Sequence, residues 1–150
     1  MDLMRYLPDI EHATLVRAPR AACFALFGSA AGWDRWFTQG MQMDPRPGGA
    51  MRFRWAGFGA DRIHAEEDGL IEVIEPPARL VFRWQMQRLE GGTRVSLSFS
   101  DAPQGTRISV CDQGYPDHDR GRRCWMDCAT GWGEALTLAR FCAESGPPAG

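Results

Sequence analysis

The chain has no run approaching the ~18 consecutive uncharged apolar residues that a membrane span requires, which excludes an ordinary transmembrane helix. Nor does charge of one sign dominate: 17 basic residues stand against 19 acidic ones, for a net charge of −2. So balanced a chain exerts no global attraction on nucleic acid or on an anionic membrane, and neither is expected as a partner. Asp2, Pro8, Asp9 and Glu11 interrupt "MDLMRYLPDIEHATLV", so secretion is not expected. The five cysteines (Cys23, Cys111, Cys124, Cys128 and Cys142) are odd in number. Without a secretory signal they are expected to be reduced thiols in a cytoplasm. Internal repeats, long linkers, a G-x-x-x-x-G-K phosphate loop and a G-x-S-x-G elbow are all lacking.

What is present is an ordinary globular balance, 44% hydrophobic and 24% charged, in 150 residues. That length suits one domain over 1–150, with a core from about residue 10 to 143. Such a chain buries about 68–70% of the surface it exposes when unfolded. The tail "SGPPAG" at 145–150 cannot continue a helix and is expected to be disordered.

Periodicity supplies the architecture. "IEHATLVR" (10–17) reads as a first strand, and Pro19 leads into a short helix, "RAACFALF", with a second in "AAGWDRWF". Alternation then sets in. Met51, Phe53 and Trp55 oppose Arg52 and Arg54, and Leu80, Phe82, Trp84 and Met86 oppose Arg83 and Gln85. Val95, Leu97 and Phe99 oppose Arg94, Ser96 and Ser98, while Ile108 and Val110 oppose Arg107 and Ser109. Turns are expected at Gly91-Gly92 and in "DAPQG". These four strands predict an antiparallel sheet wet on one face only. Its cover is expected from residues 119–144, where Trp125, Ala129, Trp132, Leu136 and Ala139 form one helical stripe. The fold class is therefore α+β: a curved antiparallel sheet around a long C-terminal helix, with two short helices after the first strand.

Several segments in this order carry a resemblance: "APRA" before a short helix closing on "WF", "PGG" at 47–49, and "EVIEPPARLVFRW" at 72–84. To these add "GGTRVSLSF" at 91–99, "GTRISV" at 105–110, and Trp125, Gly131, Trp132 and Leu136 on the long helix. Over roughly residues 10 to 143 the chain resembles the AHSA-type family, named for the activator of a heat-shock protein's ATPase. That family lies within the START-like (SRPBCC) superfamily of helix-grip folds. The resemblance implies a helix-grip domain. Superfamily members bind lipids, carry polyketide-like substrates or assist chaperones in the stress response. Co-chaperone members have a separate N-terminal domain. Only a few residues precede the first strand here, which favours an autonomous binding protein.

Six tryptophans in so short a chain raise the question of a container. A bent sheet and a helix can leave an apolar space between them. Its expected lining is Trp36, Phe37, Met51, Phe53, Trp55, Ile71, Phe82, Trp84, Leu97, Phe99, Trp125, Trp132 and Leu136, all of which otherwise serve as core. Trp36 and Phe37 are expected at the rim, with Asp34 and Arg35 in water. His64 reads as solvent-facing, His12 has no clear facing, and His118 lies between two acidic residues that suit a helix start. Cys124 and Cys128 lack the two-plus-two spacing of a zinc site, so no metal or other cofactor is expected. "RGRRC" at 120–124 is a solvated first helical turn.

The expectation is non-catalytic binding of a small hydrophobic molecule, by a monomer or homodimer. One alternative is a protein-interaction module with a chaperone or other protein as partner. Another is a cyclase- or hydratase-like enzyme for which Glu67 is the best ionisable group, its facing left open by Gly69.

Overall fold

A computed structural model describes residues 5–145; the disorder expected of the tail falls, beyond Ser145, outside them. The elements in chain order are β1 (Ile10–Val16), α1 (Arg20–Ala25), α2 (Ala30–Asp34), β2 (Gln42–Met43) and β3 (Ala50–Phe58). There follow β4 (Ile63–Glu75), β5 (Arg79–Gln85), β6 (Thr93–Ala102), β7 (Gly105–Gln113) and α3 (Asp119–Glu144). The seven strands form one antiparallel sheet in the order β1-β7-β6-β5-β4-β3-β2. From β2 to β7 each strand pairs with the next in sequence. β1 lies on the far edge, and α1 and α2 carry the chain back across the sheet. This is the curved sheet and long terminal helix expected from the alternation.

The sheet is larger than four strands and an edge. β4 is its longest member, and its outward residues are so charged that "DRIHAEED" resembles a solvated segment. Register shows otherwise. Phe53 faces Glu67 and Trp55 faces Ala65, while Met51, Gly69, Trp84 and Thr93 form one row across four strands. A second inward row runs Ile10, Asp112, Val95, Phe82 and Ile71. Gly92 ends the β5–β6 turn at φ +62°, where a Cβ would stand 2.1 Å from the Trp84 carbonyl oxygen. Only glycine takes that conformation without strain.

α3 begins at His118, whose Nδ1 accepts from Gly121 N at 3.0 Å and so caps an otherwise unpaired N–H. The helix is then fastened along β1. His12 Nε2 donates to the Ala129 carbonyl at 2.8 Å, Trp125 Nε1 donates to the Pro8 carbonyl at 2.8 Å, and Arg17 N donates to Glu144 Oε2 at 2.9 Å. Its buried seam is Gly121, Cys124, Trp132, Ala135, Leu136 and Ala139. Trp125 and Ala129, placed on the stripe by spacing, flank that seam and are half-buried.

The aromatic segment around α2 closes the other end. Trp33 and Phe27 are fully buried, and their rings meet edge to face at 5.0 Å. Each such side chain contributes roughly 1.5–3 kcal/mol through removal from water. Trp36, expected at a rim, is instead part of this cluster: it is buried, stacks on Trp33 at 5.4 Å and donates Nε1–H to the Leu26 carbonyl at 2.9 Å. A ring whose one polar atom is already bonded to the backbone is held as core. Asp34 is exposed as expected, yet its Oδ1 accepts from Thr38 and from Met41 N and so ties the segment to the chain leading into β2. No helix among the described residues is long and apolar enough to cross a membrane.

Candidate functional site

The inner face of the sheet is not covered throughout. Between the β3–β4 hairpin, the end of β5 and the middle of α3 lies an open cavity of about 670 Å³. Its wall begins with the alternation itself. Trp55 of β3 and Trp84 of β5 project from the same face and lie nearly parallel, 13° apart with centroids separated by 6.3 Å. At one end Phe37 stands upright against Trp55 (5.4 Å, 78°), with Phe58 at right angles beyond it (5.4 Å, 89°). At the other end Trp132 of α3 stands upright against Trp84 (5.8 Å, 85°). The result is a wall of two parallel indoles with a ring set upright against each. Gly131 lies on the helical side, where an added Cβ would meet nothing within 4 Å.

Glu67 enters this wall because it shares the inward parity of Ala65, Gly69 and Ile71 on β4. It is half-buried, and its Oε2 accepts from Trp84 Nε1 at 3.0 Å. Burial pushes its carboxyl above the usual carboxylate range, while the Trp84 hydrogen bond and the charge of Arg88 pull it back. Arg88 sits at the mouth and donates to Asp127 Oδ2 at 3.1 Å. Cys128 also borders the space, its thiol pushed up to about 12 chiefly by burial, so it stays a protonated, weak nucleophile at neutral pH.

Immediately behind Trp132 is a closed polar site. Asp112 is fully buried and its Oδ2 accepts from Tyr115 Oη at 2.5 Å and from Trp132 Nε1 at 2.9 Å. Burial raises this carboxyl's pKa against the pull of those two donors. Its Oδ1 is buried with no partner among the described residues. The same burial, with the neighbouring carboxylate, raises the Tyr115 phenol.

Of the residues expected to line a cavity, Phe37, Trp55, Trp84 and Trp132 stand on its wall. Trp36, Met51, Phe53, Ile71, Phe82, Leu97, Phe99 and Leu136 lie in the packed core around it, and Trp125 lies against Pro8 on the other side of α3. Phe58, Arg88, Asp127 and Glu134 border the space without having been singled out by spacing. Asp112 carried a usable signal, since it occupies the next inward position after Ile108 and Val110. Asp127 and Glu134 did not, because they lie outside the apolar stripe of α3. His64 is exposed, and among the described residues no group of three or more His, Cys, Asp or Glu side chains is placed to hold a metal.

The architecture recurs in solved structures. Protein MLL2253 from Mesorhizobium loti superposes with a TM-score of 0.77 at 13% identity, covering 93% of this chain and 99% of its own. Protein BH1534 from Bacillus halodurans gives 0.76 at 17% identity, with 94% and 100% covered. The Aha1 dimer from Colwellia psychrerythraea gives 0.74 at 16% identity, with 92% and 97% covered. At these identities the likeness establishes the fold alone. A search of the curated proteins finds no relative by sequence. The family model for "Activator of Hsp90 ATPase homolog 1-like protein" matches residues 17–140. That match takes in every element from α1 to most of α3, and the chain belongs to this family.

Proposed function

We propose that this protein binds a small, largely apolar molecule in the cavity between its sheet and α3, without transforming it. The observation that carries this reading is the upright-ring arrangement around Trp55 and Trp84, which surrounds about 670 Å³ instead of closing it. Ligand cavities have this composition, with apolar walls and a few polar groups that orient the guest. The enzyme reading has Glu67 facing inward, but its hydrogen bond goes to an indole and Cys128 is protonated, so an acid–base pair is not assembled. Titration with lipids and polyketide-like compounds, followed by tryptophan fluorescence and thermal shift, tests the binding reading. A saturable response is expected, abolished in Gly131→Leu, whose side chain would occupy the space while suiting a helix. No response across such a panel would overturn it.

A second reading, a protein-interaction module, rests on a different surface. Leu138 and Phe141 lie one turn apart on the outer side of α3, and Phe141 is 73% exposed. The related Colwellia protein is a dimer. Light scattering distinguishes the cases: a dimer that Phe141→Asp dissociates supports an interaction face there, and a monomer at all concentrations removes the homodimer.

A further inference from the structure

We infer, resting on the cavity-binding reading above, that the preferred ligand is an organic cation: an amine or quaternary ammonium carried on an apolar or aromatic body. The charge lining the cavity is one-sided. Asp61, Glu66, Glu67, Asp127 and Glu134 border it, against the single guanidinium of Arg88. Some of this charge is already answered. Glu66 is bridged by Arg52 at 2.7 Å and Arg54 at 3.7 Å, and Asp127 takes Arg88 at 3.1 Å. Among the described residues Asp61, Glu67 and Glu134 have no ion-pair partner, and all three open on the same space.

Glu67 is the informative member. A carboxylate has about four acceptor positions, and the bond from Trp84 Nε1 fills one of them. The group sits half-buried among rings, where an unpaired charge is costly; the charge of Arg88 reaches it, but among the described residues no cation forms an ion pair with it. The rings themselves favour the same sign. Phe37, Trp55, Trp84 and Trp132 all line the space, and an ammonium within about 6 Å of an aromatic face is attracted by the ring's quadrupole. Aromatic rings and a carboxylate without an ion pair in one recess are complementary to a cation with an apolar substituent. An anion would meet that carboxylate with only a guanidinium already held by Asp127 to attract it.

The other large recess, about 790 Å³ on the outer surface beside Arg5, Arg83 and Arg94, is bordered by Tyr6 and the His118 imidazole and by no tryptophan or phenylalanine. Its Arg94 is held by Glu72 at 2.7 Å.

Calorimetric titration with three probes sharing one body tests the inference: 2-naphthylmethylammonium, 2-naphthylmethanol and 2-naphthoate. The cation is expected to bind at least tenfold more tightly than the alcohol, and the carboxylate more weakly than either. Glu67→Gln should lower the cation's affinity about tenfold and leave the alcohol's unchanged. Glu134→Gln, at the exposed rim, should lower it two- to threefold and serves if the first variant does not fold. Equal affinity of cation and alcohol, tighter binding of the carboxylate, or loss of the alcohol in parallel with the cation in Glu67→Gln would overturn the charge preference while leaving a cavity ligand in place. Failure of all three probes, together with silence across the lipid and polyketide panel, would overturn both.

Discussion

Trp84 and Trp132 touch at right angles, and each donates its indole N–H to a different carboxyl group. On one side, Glu67 receives a single donor and opens on the cavity; on the other, Asp112 receives two and has no access to water. Both are raised in pKa by burial first of all. Each keeps an unfilled acceptor, and the difference lies in what can reach it: Asp112 Oδ1 is sealed in the core, whereas Glu67 borders the cavity. Asp112 is part of the packing between β7 and α3, and removing it strands two buried donors. Glu67 keeps acceptor capacity facing a space that a guest can enter. Similar chemistry on either side of one pair of rings thus serves structure in the closed site and recognition in the open one.

The most severe way to break this contrast is Asp112→Ala, which leaves Tyr115 Oη and Trp132 Nε1 without an acceptor in the core. The expected loss is about 3 kcal/mol in urea unfolding, since each stranded buried donor costs roughly 1–3 kcal/mol. A loss under about 1 kcal/mol would show that the network is not structural. A pair of identical substitutions on α3 sharpens the same division. A Cβ at Gly121 would lie 1.9 Å from the Pro116 carbonyl oxygen, so Gly121→Ala should destabilise by about 1–3 kcal/mol. Gly131→Ala projects into open space within a helix and should stabilise by about 0.5–1 kcal/mol. Thermal unfolding of the two variants with the same sign of shift would contradict the open and closed assignment.

Titration separates the charge of Asp112 from its hydrogen bonds. Its folded-state pKa lies above the unfolded value, so the protonated form is the one the fold favours. Its contribution to stability is therefore complete below about pH 4 and is lost as pH rises through the folded-state value. Asp112→Asn retains an acceptor oxygen and does not titrate. Native protein should lose stability relative to this variant as pH rises, by on the order of 1 kcal/mol for each unit that separates the two pKa values. A constant difference from pH 3 to 8 would remove the claim. The smallest expected effect is Glu67→Ala, which should change unfolding free energy by less than about 1 kcal/mol, because Trp84 Nε1 can turn its bond to cavity water. A loss as large as that of Asp112→Ala would erase the distinction between the two sites.

Much of the framework was legible before any coordinates. Alternation of Met51, Phe53 and Trp55, of Leu80 to Met86, and of Val95 to Phe99 assigned the inward face, and each of these residues is buried. The helix over 119–144 matches α3 in its bounds. β4 was harder to read because a strand whose outer face carries Glu66 and Asp68, with a glycine inserted, loses the apolar rhythm that identifies strands. That Trp36 is core and not rim is invisible to local spacing, because nothing in the segment specifies the Leu26 carbonyl its N–H meets.

The sequence by itself determined which side chains point inward, since the two-residue period of a strand and the 3.6-residue period of a helix are local properties of the backbone. Only the tertiary structure decided where those side chains meet and where they stop short. The lean of α3 along β1, fastened through His12, Trp125 and Arg17, brings Trp132 down onto Trp84 and leaves Glu67 facing a gap. Contacts between residues more than a hundred positions apart set that lean, and no local pattern encodes the width of the space they leave.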